Sequence, residues 1–412
     1  MGSLSLTLFV AGWLAPLGWS QAPAQDPQEP QAAESGADQA PAREPGGERE
    51  TLELTREEGR RASNRSLVYL LTNQNEDGSW AVGVCDDINE LGFAQETYFA
   101  WQQGACGLGT LSLLGAPRTE DVNASLRKAV SWLCSSRLSH RGANWDVDST
   151  WASLYGFTAL VAASKDGRFA KEDLAAAMRK RALEFYEDLV LRQTIDGGWA
   201  YYDDPPFTTK PTWATSFCTA LVLPPLLDAK ALGWPIDEKL IERATSLVER
   251  CALPNGAYTY SFNLRPRSFG GDSINQVPGS LGRTQVCNWA LFRAGSKRVD
   301  HKVLRAGLRN FFEHHVYLDM ARMRPIPHEG WFANAGYFYF FGHYYAAKVV
   351  ELLPEVERED WRRKLRYAVA KTLNQDGACS DFMSSGYQIT AGTSFATMAL
   401  QMGLAEAPAG GK

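Results

Sequence analysis

One unit recurs six times along this 412-residue chain: an amphipathic helix, a turn containing glycine, and a helix that is small and apolar nearly all round. The turn glycines are Gly78, Gly142, Gly198, Gly256, Gly330 and Gly377, on average about 60 residues apart. That distance is what two helices of about four to five turns and their loops occupy. Among the amphipathic members, Leu240, Ile241, Ala244, Leu247, Val248 and Cys251 form one stripe, with Glu238, Lys239, Glu242, Arg243 and Glu249 opposite. Leu304, Leu308, Phe311 and Phe312 form a second stripe, and Trp361, Leu365, Ala368, Val369 and Thr372 a third. Helices with one wet face belong to an outer layer.

Their partners, Trp101–Leu114, Thr150–Ala163, Thr215–Leu223, Thr284–Ala294, Tyr337–Leu353 and Thr393–Leu404, carry almost no charge. A helix apolar on all sides is buried on all sides. Several begin with Thr or Ser, suited to N-caps, and Pro224-Pro225 is expected to stop the third at once. Six outer helices around six inner ones leave no apolar face exposed only if the ring closes. The expectation is an all-α domain, an (α/α)6 toroid over residues 51–407.

The turns carry a specific signature. Arg65-Ser66-Leu67-Val68-Tyr69-Leu70-Leu71-Thr72-Asn73-Gln74-Asn75-Glu76-Asp77-Gly78-Ser79-Trp80 follows a pattern of basic, small, aromatic, Leu, Gln, Gly and Trp. Lys128-Ala129-Val130-Ser131-Trp132-Leu133 repeats its front half and Gln193-Thr194-Ile195-Asp196-Gly197-Gly198-Trp199 its back half. Arg181-Ala182, Arg243-Ala244 and Arg305-Ala306 keep the basic-small pair. From about Leu54 to Leu404 the chain resembles the prenyltransferase/squalene-cyclase repeat superfamily: squalene and oxidosqualene cyclases, class II diterpene cyclases and protein prenyltransferase β subunits. The Gln and Trp read as structural, with Gln tying off helix-end backbone groups and Trp packing across the turn.

Residues 1–20 have the short apolar stretch Leu4–Leu17 of a signal peptide, with cleavage expected after Ser20 or Ala24, although no Lys or Arg precedes it. Residues 21–50 are rich in Ala, Pro, Gln, Glu and Gly, cannot bury a core, and read as a disordered linker. The chain is therefore expected to be exported, with the leader cleaved or kept as an anchor, and without another stable membrane span. Seven cysteines without a CxxC pair read as mostly buried thiols, an awkward fit to an oxidising compartment. Cys106, in a Gly-Ala-Cys-Gly stretch that echoes complement-type thioester domains, lacks the Glu and Gln that close a thioester. A net charge of −5 without a basic run argues against nucleic acid as a partner.

Inner-helix N-termini and the outer-to-inner turns gather on one face of such a ring. Asp86-Asp87, Asp146, Asp148, Asp203-Asp204, Asp272 and Asp381 fall there, most of them as expected helix caps. Asn144-Trp145-Asp146-Val147-Asp148-Ser149 resembles the class II cyclase motif Asp-x-Asp-Asp, which implies Asp148 as a general acid beside Asp146. The fourth position is Ser149, and a single domain replaces the two that enclose the site in squalene-type cyclases. The aromatic run Gly336–Tyr345 implies a ring-lined cavity, with Tyr337, Tyr339, Phe341, His343, Tyr344, Trp151 and Trp213 as ligand-facing candidates. Relation to zinc prenyltransferases implies Cys287 and His343 as weak ligands, but Gln285 stands where the carboxylate belongs, so no cofactor is expected and zinc is disfavoured. His314, His315 and His328 read as surface or packing residues. The leading expectation is a toroid that holds an apolar ligand, isoprenoid or lipid, or a protein partner without full cyclase activity. The alternative is a class II-type cyclase or isomerase, and a zinc-dependent prenyltransferase is more remote.

Overall fold

The computed structural model describes residues 54–404 apart from 144–145, 171–173, 203–209 and 263–271. The expected leader and linker, residues 51–53 and 405–407 of the expected domain, and Asp203-Asp204 lie outside the described residues. In chain order the helix pairs are α1 (Arg56–Thr72) and α2 (Gln95–Gly115), α3 (Glu120–Ser135) and α4 (Thr150–Ser164), α5 (Leu174–Arg192) and α6 (Ser216–Ala231), and α7 (Glu238–Cys251) and α8 (Leu281–Arg293). Then come α9 (His301–Glu313), the short α10 (Val316–Ala321) and α11 (Phe338–Val350), and finally α12 (Glu355–Ala370) and α13 (Gly386–Gly403). A two-residue pairing of β1 (Ala214–Thr215) with β2 (Ser261–Phe262) is the described sheet.

The ring closes. Each of α2, α4, α6, α8 and α11 packs on the next inner helix, and α13 packs on both α11 and α2. Outside, α1 touches both α3 and α12. The amphipathic stripe of α7 is buried as its periodicity requires: Leu240, Ile241, Ala244, Leu247, Val248 and Cys251 face inward. Full burial of such a side chain is worth about 1.5–3 kcal/mol. Small residues let the inner helices approach closely; a Cβ on Gly107 would lie 2.6 Å from the Tyr155 carbonyl oxygen.

The repeat signature has a mechanical explanation. The Gln74 amide donates to the Gly78 carbonyl at 2.9 Å and to the Ser125 carbonyl on α3 at 3.0 Å. Gln193 does the same with Gly197 at 2.9 Å and Leu240 on α7 at 3.1 Å. Each Gln therefore closes its own turn and holds the next outer helix. The indoles of Trp80 and Trp199 reach back to the Leu70 and Leu189 carbonyls at 2.8 and 2.7 Å. Left-handed glycines make the turns at Gly78, Gly197, Gly256 and Gly377; Gly197 takes this role rather than Gly198, and Gly142 and Gly330 are not left-handed.

Other expectations need correction. Pro224 and Pro225 do not end α6, which runs on to Ala231. Proline inside a helix forfeits a hydrogen bond at about 3 kcal/mol, but burial of Leu221, Val222, Leu223, Leu226 and Ala229 holds this helix straight through. α2 starts at Gln95 and α13 at Gly386, well before the charge-free stretches on which they were expected to begin. Of the Thr and Ser caps of inner helices, Thr215 accepts from Cys218 N, whereas the Ser149, Ser280 and Ser385 side chains make no cap bond to their own helix. No described helix is long and apolar enough to cross a membrane.

Candidate functional site

Inside the ring lies a cavity of about 540 Å³. Its helical lining comes from the N-terminal and middle turns of inner helices, among them Trp101 and Ala105 on α2, Trp151 and Tyr155 on α4, Phe217 on α6, Phe338 and Phe341 on α11, and Tyr387 and Phe395 on α13. All six outer-to-inner connections add to it, with Glu90, Asp148, Tyr201, Tyr260, His328 and Asp381 among their contributions. The site therefore sits at the end of the ring where the inner helices begin.

Helical period explains which sequence candidates reach it. Trp151, Tyr337 and Phe341 line the cavity, the last two being one turn apart on the same face. Tyr339 and His343 lie on the opposite face. The Tyr339 hydroxyl donates to the Ala368 carbonyl on α12 at 3.1 Å, and His343 packs on Phe311 of α9 with ring centroids 5.1 Å apart. Tyr344 packs on Tyr345 and Phe395 without lining the cavity. Trp213 stands edge-on to Tyr201 from behind, at 4.9 Å. Asp146 is buried and accepts from the Gly142 amide at 3.1 Å, holding its own loop; it does not line the cavity.

Asp148 does. Its backbone is left-handed, φ 59°, a conformation that costs a non-glycine residue roughly 1 kcal/mol or more. The loop is pinned on either side by Val147 N–H donating to Thr97 Oγ1 at 2.8 Å and Trp151 N–H donating to the Asp148 carbonyl at 3.1 Å. The Trp101 indole donates to Asp148 Oδ2 at 3.0 Å. The carboxyl retains accessible surface only because it faces the cavity; protein surrounds it, and this burial pushes it up to about 6 against the opposing pull of the Trp101 bond. Ser149, where the cyclase motif has a second carboxylate, accepts from the buried Arg192, whose Nε also pairs with Asp188 at 2.6 Å.

Two more carboxyls face the same space. Asp381 accepts from the Phe340 amide at 3.0 Å, and burial pushes it up to about 7. Glu90, raised chiefly by burial, accepts from the Tyr387 hydroxyl. Tyr387 in turn stacks on Trp101 at 4.4 Å, so Glu90 and Asp148 share one aromatic wall. His328 is a cavity residue, contrary to its reading as surface or packing. Its Nδ1 donates to the Ala333 carbonyl at 2.7 Å, and Nε2 lies 2.9 Å from the Tyr337 hydroxyl. Burial lowers its pKa and so favours the neutral ring.

The proposed metal ligands do not meet. Cys287 neighbours Cys251, Ser216 and Arg283, and burial raises its thiol far above the usual range. His343 instead faces the Tyr339 carbonyl and His315. Among the described residues no group of three or more His, Cys, Asp or Glu could hold a metal ion. All seven cysteines are free thiols, and Cys106 is wholly buried with its sulfur accepting from Trp80 N–H at 3.2 Å. The Asp272 side chain lies outside the described residues.

Glu90, Tyr260 and His328 are not legible in the sequence as site residues because they lie in connections without periodicity. The clue in the sequence was proximity: Glu90 follows Asp86-Asp87, and His328 precedes the aromatic run.

No family model and no curated protein matches this chain. Among solved structures, an α-1,6-mannanase of Salegentibacter sp. HEL1_6 is 12% identical, with TM-score 0.54 over 84% of this chain and 99% of its own. An unsaturated glucuronyl hydrolase from Bacillus sp. GL1 is 14% identical, with TM-score 0.52 over 83% and 96%. A type II terpene cyclase, MstE from Scytonema, is 12% identical, with TM-score 0.45 over 84% and 98%. At these identities the likeness concerns architecture alone: the chain has an α/α-toroid fold.

Proposed function

We propose that the ring holds a small, largely apolar molecule, of isoprenoid or lipid type, in its central cavity. One observation carries this reading: a space of about 540 Å³ walled mainly by the rings of Trp101, Trp151, Tyr155, Phe217, Phe341 and Phe395. Such volume and lining are typical of small-molecule sites.

A second reading follows from the position of Asp148. A carboxyl that titrates near 6 is partly protonated at neutral pH. Its O–H proton could pass to an alkene carbon or epoxide oxygen, leaving a carbocation faced by aromatic rings. Loss of a proton from that cation to a carboxylate or water restores the count, so the net reaction is an isomerisation without redox change. This is the class II-type chemistry that the Asp146–Asp148 motif resembles, with Ser149 in place of the second acid. Export of the protein belongs to the same proposal and rests on residues 1–20 alone.

The test is native mass spectrometry of the full-length protein with geranylgeraniol, and with α-1,6-mannotetraose as a control, followed by product analysis. A stoichiometric geranylgeraniol adduct and none with the glycan is the expected result. Absence of that adduct, or preference for the glycan, refutes the apolar reading. Cyclic isomers formed by wild type and lost in Asp148→Asn establish the second reading; an unchanged ligand, or turnover that survives the substitution, removes it. Capture of a protein at the rim with an empty cavity favours the partner reading.

A further inference from the structure

The cavity combines two features that neutral hydrocarbons do not need. Three carboxyls, Glu90, Asp148 and Asp381, face it. Among the described lining residues there is no Lys or Arg, and burial favours the neutral form of the one basic side chain, His328. The donors to these acids are neutral: Tyr387 and Ser385 for Glu90, Trp101 for Asp148, and the Phe340 amide and its own amide for Asp381. Arg141 and Arg322 offset only part of the burial of Asp148 and Asp381, so this enclosed set of acids is left to protonation or to a positively charged guest. The walls are ring faces, which attract cations through their quadrupoles.

We propose that the ligand of this cavity is an organic cation, an ammonium or quaternary ammonium group on an apolar body, with its charge between Asp148 and the Trp101–Tyr387 stack. The inference rests on the reading that the cavity binds an apolar small molecule and narrows the class of that molecule. Compact metal ions do not fit the same description, because they would find few oxygen ligands among rings.

Binding then competes with protonation. Asp148 is faced by Glu90 from the α1–α2 connection, whose charge raises it, and by Arg141 from its own loop, whose charge lowers it. Cys218 on α6, Tyr260 before α8, Tyr337 before α11 and Tyr387 on α13 also face it, and burial raises all four, keeping them protonated. Arg141 lowers Asp148 less than burial raises it. Arg322 acts on Asp381 in the same subordinate way. If the cation needs Asp148 ionised, a carboxyl titrating near 6 makes affinity about tenfold weaker at pH 5 than at pH 8. A contribution from Asp381 enlarges that factor.

The test uses benzyltrimethylammonium and its neutral isostere neopentylbenzene, which share shape and differ in charge. Their affinities for the full-length protein are measured by ligand-observed NMR at pH 5 and pH 8. The cation is expected to bind more tightly at pH 8 and at least about tenfold more weakly at pH 5, while neopentylbenzene shows no pH dependence. Asp148→Asn should remove the roughly tenfold part of the pH dependence that Asp148 carries but leave binding of neopentylbenzene, which reports that the variant remains folded. Equal affinity for the two probes, or a cation affinity independent of pH, overturns the inference while leaving the apolar cavity intact. Failure of both probes to bind overturns the cavity reading and this inference with it.

Discussion

Replacing Asp381 by asparagine should stabilise the protein in mildly alkaline solution, against the usual cost of altering a buried polar residue. Asp381 is 4% exposed, and burial lifts its carboxyl to about 7 against the pull of the Phe340 amide and Arg322. In the unfolded chain the same group ionises near the ordinary aspartate value of 3.8. The folded state therefore holds this proton more tightly. The resulting stability is fully present below about pH 4, is lost as the pH rises towards 7, and changes little beyond. At 1.36 kcal/mol for each pH unit of that window, the loss totals about 4 kcal/mol, of which about 2.5 kcal/mol falls between pH 5 and pH 8. Asparagine keeps an oxygen that can accept from the Phe340 N–H, which now lies at 3.0 Å, and has no charge to desolvate. Urea unfolding of both proteins at pH 5 and pH 8 provides the comparison, and taking the difference between them cancels every other titrating group. The difference should move by about 2.5 kcal/mol in favour of the variant at the higher pH. A difference that does not change with pH refutes the placement of Asp381 as an uncompensated buried acid.

Three further outcomes follow from the geometry. Gln193→Ala removes the amide that bridges Gly197 and Leu240 and should cost about 2 kcal/mol in unfolding free energy; a neutral effect would show that the repeat glutamine is not a clamp. Gly377→Ala places a Cβ 2.3 Å from the Arg65 carbonyl oxygen at φ +90°, whereas Gly256→Ala, at φ +86°, meets nothing within 4 Å. Chemical denaturation should show the second costing about 1 kcal/mol and the first distinctly more; equal costs would contradict the packing of α1 against that turn. Trp101→Phe keeps the ring but deletes the donor to Asp148, so the Asp148 carboxyl should titrate about one pH unit or more above its present midpoint in carbon-detected NMR. An unmoved midpoint would deny that hydrogen bond.

The ring was legible in the sequence because its determinants are local and periodic. The stripe from Leu240 to Cys251 and the Gln-Gly-Trp turns each fix one helix or one turn without reference to the rest of the chain. Within α11 this logic stops. Every position from Tyr337 to Tyr345 is aromatic, glycine or histidine, so composition cannot say that Tyr337 and Phe341 face the axis while Tyr339 and His343 face α9 and α12. That choice is made by the packing of neighbouring helices. Glu90, Tyr260 and His328 were hidden for another reason, since each comes from a connection whose path depends on the assembled ring. Asp148 and the serine that replaces its second acid are legible through a motif, whereas the indole that bonds Asp148 and the Arg192 that bonds Ser149 are visible only in three dimensions. At Pro224-Pro225 a sound local rule lost to tertiary burial.

The central claim is that the ring encloses an open, apolar, aromatic cavity able to take a guest. Crystals of the protein pressurised with xenon test it most directly, because xenon settles in apolar cavities and marks them with strong scattering. The account predicts a xenon atom on the ring axis among Trp151, Tyr155, Phe341 and Phe395. Side chains filling that space, or xenon absent from it while bound elsewhere, would contradict the account.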